Sequence, residues 1–410
     1  MVKGRRVLIG ITGGIAAYKV CEVISSLAKA GAEVRGILTK SAEKFITPLT
    51  VTTLCRHPVY TDESFWGRES GKPLHIELGE WAEVFVIAPL TANTLAKLEW
   101  GIADNLLTST VLASTMPILL VPAMNTDMWE QPTVQRNWQQ IFKICSRYHG
   151  ISPDIGVLAC DRLGVGRMAE PSEILAYTES LLYTDGKRDL IGKKVLISAG
   201  GTREYIDPAR FIGNPSTGKM GIAVARAAAH RGAEVTLVHA ALENGVMTFL
   251  DNVKTIAVTS AEQMRQTMLE YHADADITVM AAAVADVKPA EYSTEKLPKK
   301  TLGASLPLVP VPDILAELGE RKQPHQILVG FAAQTGDIVS PARQKLFEKK
   351  LDIIVANPID QPNSGFGSDT NQVIFADAIG RKVTLPLASK LHVAHHLFDF
   401  IRTTIFTGKE

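Results

Sequence analysis

The sequence predicts an α/β chain of two domains built on one plan. Three observations carry this reading: a β-α-β opening in each half, five further apolar runs that each end in small or polar residues, and the tetrapeptide GAEV at the same point of both openings (31–34 and 232–235).

In the first opening, RVLIGI (6–11) is a short apolar run of strand type. TGGIAAYK then turns into a helix, and YKVCEVISSLAKA carries apolar residues at helical spacing. Gly31 ends that helix and EVRGILT starts the next strand. The second half repeats the order: KKVLISAGGT runs into Gly200-Gly201, and GKMGIAVARAAAHRGAEVTLVHA reads as helix, glycine stop and strand. Between Tyr177 and Lys193 the chain is charged and carries a glycine turn, so the domains are expected at 1–190 and 191–410. The remaining runs are EVFVIAP and PILLVPAMN in the first domain, and DITVMAAAVAD, QILVGFAAQT and LDIIVANP in the second. Continuous apolar runs of this length suit parallel strands covered on both faces. They end at Thr91-Ala92-Asn93, Asn125, Asp286, Gln334-Thr335 and Asn357. Ligands bind outside the carboxyl ends of strands in open α/β sheets, so each half gathers polar groups where a binding rim would lie. The expectation is two Rossmann-like domains.

Composition narrows the function. Lys+Arg and Asp+Glu balance at 43 each, so no bulk charge points to nucleic acid or an acidic membrane surface. The four cysteines form no disulfide framework and no CxxC pair suggests zinc. The apolar run before Gly13-Gly14 is too short for a signal-peptide core, and no stretch approaches the ~20 residues of a membrane span. A reducing, cytoplasmic setting is expected.

The first ligand question is nucleotide type. GITGG places glycines at 10, 13 and 14, which is not G-x-G-x-x-G. The acidic residue expected after the second strand is missing, since that position reads LTKS in one half and VHAA in the other. A nicotinamide-dependent oxidoreductase is therefore the competing reading, not the leading one. Thr12, Gly13, Gly14, Thr39 and Ser41 offer hydroxyls and backbone N–H groups at a helix N-terminus, which suits a lone phosphate and so a mononucleotide such as FMN. In the second domain the insertion TREYIDPARFIGNPSTG has Arg203, Arg210 and Lys219 in or beside it, with Asn214, Ser216 and Thr217 as caps or ligand donors. EKLPKKTLG adds Lys296, and ARQKLFEKKLD puts Lys345 and Lys349 on one helix face. Basic groups near one acid, Asp286, are what a nucleoside triphosphate with Mg²⁺ needs; no P-loop motif is present. In VLACDRLGVGRMAEP (157–171), Cys160 precedes a loop with glycines at 164 and 166, and is either packing or a thiol held for chemistry.

These residues together resemble the bifunctional phosphopantothenoylcysteine decarboxylase/phosphopantothenate–cysteine ligase family of coenzyme A biosynthesis. GITGGIAAYK, KPLHIELGEWAE, APLTANTLAKL, GIADNLL, PAMN and ACDRLGVGRM resemble the decarboxylase half; SAGGTREYIDPARFIGNPSTGKMG, AAAVAD, GFAAQT and LDIIVANP resemble the ligase half, in the same order. The resemblance implies a flavodoxin-like flavoprotein domain of the HFCD type followed by a Rossmann-like ligase domain. It implies that His75, Asn125 and Cys160 are catalytic in the first. There FMN would oxidise the cysteinyl thiol to a thioaldehyde, CO₂ would depart past Asn125, and Cys160 would return a proton from a loop whose glycines act as hinges. Thr91, Ala92 and Asn93 join Thr12, Gly13, Gly14, Thr39 and Ser41 around FMN. In the second domain the phosphopantothenate carboxylate would attack the α-phosphate of CTP, and cysteine would displace CMP from the acyl-cytidylate. Asn214 and Lys296 would be catalytic. Arg210 would grip phosphopantothenate, with a neighbouring subunit as one source. Met280, Ala281, Ala282, Asp286, Lys296, Pro312, Asp313, Ile314, Leu315, Phe331, Lys345 and Lys349 would bind CTP, with Mg²⁺ held mainly through its phosphates. A homo-oligomer is implied, with trimeric contacts at the FMN domain and dimeric contacts at the ligase domain. Two positions depart from the family pattern: Asp161-Arg162 follow Cys160, and Pro298 interrupts the basic loop KLPKK.

Overall fold

The computed structural model describes residues 2–67, 71–158, 161–243, 245, 253–299 and 305–407. The chain divides into two compact units, Met1–Lys187 and Arg188–Glu410.

The first unit contains strands β1 (Arg6–Ile11), β2 (Glu33–Leu38), β3 (Val59–Tyr60), β4 (Val84–Leu90), β5 (Ile118–Pro122) and β6 (Tyr148–Gly150). They form one sheet in the order β3-β2-β1-β4-β5-β6, every pair parallel. Setting aside the two-residue edge strand β3 leaves the 2-1-3-4-5 order of flavodoxin-like sheets. Its helices are α1 (Ala17–Lys29), α2 (Pro48–Cys55), α3 (Asp62–Phe65), α4 (Leu74–Trp81), α5 (Ala92–Trp100), α6 (Leu106–Ala113), α7 (Thr126–Trp129), α8 (Pro132–Ile144) and α9 (Pro171–Thr184). Alternation along β1 sends Val7, Ile9 and Ile11 into the core shared with Val20, Ile24 and Ile174, and Leu8 into the core shared with Leu78, Leu107 and Ile141. The sheet is thus covered on both faces, as its apolar runs foretell. An antiparallel pair, β7 (Asp154–Val157) and β8 (Leu163–Arg167), lies outside that sheet.

In the second unit the sheet order is β13-β12-β9-β14-β17-β18-β19-β20, from β9 (Lys194–Ala199), β12 (Glu234–His239), β13 (Val253–Ala257), β14 (Ile277–Met280), β17 (Ile327–Gln334), β18 (Ile353–Pro358), β19 (Thr370–Asp377) and β20 (Lys382–Ser389). The first six are parallel in the Rossmann order, and the last two extend the sheet antiparallel. Two small antiparallel pairs, β10 (Arg203–Asp207) with β11 (Arg210–Gly213) and β15 (Val287–Pro289) with β16 (Leu308–Pro310), project from it. Helices α10 (Lys219–His230), α11 (Ala261–His272), α12 (Ile314–Arg321), α13 (Val339–Glu348) and α14 (Lys390–Thr407) complete the unit.

The polar fixing point of this unit is Arg231, 1% exposed at the end of α10. Its guanidinium donates to Asp189 at 2.7 and 2.6 Å, to Asp399 at 2.8 Å and to the His395 carbonyl at 3.0 Å. Removing it leaves Asp399 without this cation and Asp189 with Arg402, both carboxylates partly exposed, so Arg231→Met should cost about 1–3 kcal/mol. Urea denaturation of the full chain measures this; a loss below about 1 kcal/mol would contradict the assignment.

Candidate functional site

The first unit opens a cavity of about 510 Å³ where β1, β4 and β5 end. Gly13 and Gly14 follow β1, Thr91 and Ala92 follow β4, and Met124 and Asn125 follow β5; all six line it. Its other walls are largely apolar, from Ile15, Met128, Val157 and Met168, with Lys19 and Arg167 at the edge. Both cations face Glu170, Lys19 at 3.3 Å.

Thr12 has a different role from the one expected. It is 1% exposed; its hydroxyl donates to the Pro89 carbonyl (2.5 Å) and accepts from the Thr91 N–H (3.1 Å). It is a brace between the ends of β1 and β4. Gly13 sits so close to Ser41 that an added Cβ would lie 2.4 Å from the serine Cβ. A side chain there would close the approach between the glycine turn and Ser41. Thr39 uses its hydroxyl to accept from Ala42 N–H at 3.3 Å, and Thr91 caps α5 by accepting from Thr94 N–H at 3.3 Å. Thr39, Ser41 and Asn93 do not line the cavity.

Asn125 lines it and caps α7, its Oδ1 accepting from Asp127 N–H at 2.8 Å. Its donor end is then the one suited to an anion. The strand β8 lies directly on this loop: Met124 N–H donates to the Gly166 carbonyl at 2.9 Å. A Cβ on Gly164 would meet Thr126 Oγ1 at 2.3 Å, and one on Gly166, whose φ is +148°, would meet the Met124 carbonyl oxygen at 2.2 Å. The glycines expected to act as hinges instead permit a close strand-on-loop contact. Cys160 lies outside the described residues. On either side of it in the chain, Leu158 N–H donates to the Arg162 carbonyl and Asp161 N–H to the Leu158 carbonyl, both at 2.9 Å. Arg162 is ion-paired with Asp127 in the first turn of α7, so its charge is already engaged. His75 is not among the cavity's residues. It stands on α4, whose Leu78 packs in the core on the sheet face away from α1; its ring meets Phe65 edge-on at 5.4 Å, and its buried Nδ1 has no hydrogen-bond partner among the described residues.

The second unit's cavity, about 390 Å³, opens at the ends of β14, β17 and β18. Met280, Ala281, Ala282, Asp286, Pro312, Asp313, Ile314, Leu315, Phe331, Lys345, Lys349 and Asn214 all line it, so most of the residues singled out in this half share one wall system. Two hydroxyls hold its backbone floor: Ser198 accepts from Ala282 N–H (3.1 Å) and Thr202 from Ala285 N–H (2.9 Å). Asn214 donates to the Val284 carbonyl at 3.1 Å. Asp313 caps α12 and pairs with Lys349 at 2.6 Å; burial would raise its carboxyl, but that lysine and the Ala316 N–H hold it below the usual range. Burial, then the Lys349 charge, push the Lys345 ammonium down.

Arg210 and Lys296 are not in this cavity. The Arg210 guanidinium pairs with buried Asp207 (Nε to Oδ2, 2.9 Å) and donates to the Leu297 carbonyl at 2.6 Å, which pins the basic segment to the β10–β11 pair and leaves Lys296 exposed. Lys300 of the same segment lies outside the described residues. Conversely, the cavity contains Lys219, Asn357, Asn371 and Lys390. Of these, Lys219 and Asn357 are marked in the sequence by position; Asn371 and Lys390 are not. The one sequence hint for Lys390 is a cation at the start of a helix, against the helix dipole.

Residues 190–405 match the model of the DNA/pantothenate metabolism flavoprotein C-terminal domain, and residues 1–183 match the Flavoprotein model. The chain is 44% identical to the coenzyme A biosynthesis bifunctional protein CoaBC of Bacillus subtilis (strain 168), over 98% of this chain and 97% of that one. This chain belongs to the CoaBC family. The CoaBC of Escherichia coli (strain K12) is 38% identical over 98% of this chain and 97% of its own. A cysteine/cysteine sulfinic acid decarboxylase from an unknown prokaryotic organism is 41% identical over 88% of this chain and 99% of its own. The CoaBC relatives run through both cavities described above, and among the described residues no helix is long and apolar enough to cross a membrane.

Two predictions concern the geometry. Gly166→Ala should destabilise the first unit by about 2–3 kcal/mol, because the strained φ and the Met124 carbonyl act together. Gly101→Ala, at φ +68° in open space, should cost only about 1–2 kcal/mol. Equal shifts in thermal melting would contradict the close contact. The second concerns Lys390, pushed down to about 8 by burial and then by Lys219, from the ordinary 10.5. Between those values the unfolded chain binds more protons, so the burial penalty is in force below about 8 and fades as pH rises toward 10.5. Any stability gained by Lys390→Met should be largest at pH 7 and shrink toward pH 10; a pH-independent difference would refute this.

Proposed function

We propose that the chain joins 4′-phosphopantothenate to L-cysteine at the expense of CTP, then decarboxylates the product to 4′-phosphopantetheine. The observation that carries this reading is near-full-length identity to CoaBC proteins together with a cation-lined cavity in one unit and an apolar one in the other. Residues 191–410 perform the ligation and residues 1–190 the decarboxylation.

In the ligase, Pro312, Leu315 and Phe331 offer the flat apolar surface a pyrimidine needs, and Lys345 and Lys349 offer charge to the phosphates. The phosphopantothenate carboxylate attacks the α-phosphate, pyrophosphate leaves, and the cysteine amine then attacks the acyl carbon, expelling CMP and losing a proton. The cations stabilise charge that grows on the phosphates as each bond breaks. Mg²⁺ would travel with the triphosphate. Asn214, tied to the Val284 carbonyl, stands ready at the acyl group. Arg210 and Lys296 act once their segment moves or a second subunit meets it.

The first cavity fits FMN: apolar walls suit a flat ring system, and the Gly13–Ser41 approach with the first turn of α1 forms a cradle that a side chain would fill. Bound FMN supplies a two-electron acceptor for the substrate thiol and returns those electrons after CO₂ is lost. Asn125 positions the departing carboxylate by N–H donation, and Cys160 delivers the proton that completes the product. His75 belongs to the cavity of a neighbouring subunit, in the trimeric contact expected for this half. Exposed apolar residues at the cavity, Ile15, Tyr18, Met128 and Val157, are what such a contact would cover. The setting is cytoplasmic.

Pyrophosphate release tests the ligase assignment: it should require CTP and phosphopantothenate and should proceed once per site before cysteine is added. Release independent of phosphopantothenate would refute it. Subunit mixing tests the other half. Co-expressed His75→Ala and Asn125→Ala chains should regain about a quarter of the decarboxylase sites, whereas each variant alone is inactive; no recovery would place His75 in its own subunit's chemistry or outside it.

A further inference from the structure

We propose that Lys390, the first residue of α14, is the cation of a phosphate subsite at the α10 end of the second unit's cavity. This rests on the CTP-dependent ligase reading. Lys390 lines the cavity yet is only 6% exposed. Among the described residues its ammonium has one hydrogen bond, to the Gly365 carbonyl at 3.2 Å, and no carboxylate within ion-pair distance. The neighbouring acids are committed elsewhere: Asp369 pairs with Lys219 at 2.8 Å, and Glu243 faces Lys219 at 3.5 Å. A buried cation without counter-charge is costly, and an ammonium has three protons to donate, so two remain for a partner from the cavity. The first position of a helix is also the least favourable place for a cation, which makes a structural role for the charge a poor explanation.

The surroundings define the partner's chemistry. Asn371, 3% exposed, has its Oδ1 taken by the Ser364 hydroxyl (2.8 Å) and the Gly365 N–H (3.4 Å), so its amide nitrogen is the end left for an acceptor. The first turn of the twelve-residue helix α10 enters the same cavity after Gly218. Donors from Lys390, Asn371 and a helix N-terminus share the cavity, and none of its lining residues from α10, β19 and α14 is a carboxylate; a tetrahedral oxyanion of charge −2 matches them. Burial and then the Lys219 charge push the Lys390 ammonium down, the charges of Asp369 and Glu243 offset this only in part, and a bound phosphate would favour the charged form. Two substrates carry such a group: the nucleotide, in its β,γ-phosphates, and the acid substrate, in its phosphomonoester.

The test uses the full chain with Lys390→Gln and Lys390→Arg. Decarboxylation of preformed phosphopantothenoylcysteine by the first unit should be unchanged in both, which reports the first unit's integrity; a thermal melt like that of the wild type reports folding of the second. In Lys390→Gln, inhibition by inorganic pyrophosphate should weaken at least tenfold if the subsite holds the nucleotide's phosphates. The KM for phosphopantothenate should rise at least tenfold, with pantothenate itself unaffected, if it holds the monoester. Lys390→Arg should recover most of whichever effect appears. Neither effect, in an enzyme whose wild type ligates normally, overturns the subsite; a wild type that does not ligate overturns the ligase reading instead. A wild-type measurement guards against a variant that fails to fold: pyrophosphate or phosphopantothenate should protect Lys390 from reductive methylation, read by peptide mass spectrometry, and equal modification with and without them overturns the proposal.

Discussion

In each sheet a hydroxyl from the first strand's end crosses to the neighbouring strand at the point where the strand order reverses. Thr12 bonds Pro89 and Thr91; Ser198 and Thr202 bond Ala282 and Ala285. Parallel strands need crossover helices, and those helices cover both faces. The carboxyl edge is the one place where polar groups can gather without opening the core, and strands diverge there. A short, buried hydroxyl bridge keeps that divergence from becoming a gap in the ladder. The loops after β4 and β14, which line the two cavities, start at these bridges.

The same scaffold then supports two unlike sites. In the first unit the loops after β1, β4 and β5 carry small and apolar residues, and the two cations at the edge share one carboxylate, Glu170. That environment favours a flat aromatic group over a polyphosphate. In the second unit the walls carry four lysines, of which Lys349 and Lys219 have acidic partners and Lys345 and Lys390 form no ion pair among the described residues. Net positive charge in a partly desolvated cavity is a standing preference for a polyanion. The difference lies in the loops, not in the sheets.

Much of this was legible in the chain because buried parallel strands write themselves as apolar runs. RVLIGI, EVFVIAP and LDIIVANP became β1, β4 and β18 within a residue or two. The half-buried antiparallel elements were not read: β19 and β20 alternate, lack a single apolar run, and follow the last recognisable parallel strand. Lys390 and Asn371 belong to that extension, which is why they went unseen. In the hairpin β7–β8 the glycines at 164 and 166 suggest a flexible loop by their local pattern, whereas they answer a contact with Thr126 and Met124 that no local pattern encodes. The contacts of Arg210 show the same long-range dependence. Its partner Asp207 is three residues away, but its hold on Leu297 spans the domain.

The central claim is that one chain performs two consecutive reactions, with CTP-driven condensation first. The most direct measurement is mass spectrometry of the products formed from phosphopantothenate, CTP and cysteine labelled with ¹³C at its carboxyl carbon. The account predicts labelled CO₂ and unlabelled 4′-phosphopantetheine, with both absent when CTP is withheld. Labelled CO₂ released from free cysteine without CTP would contradict it.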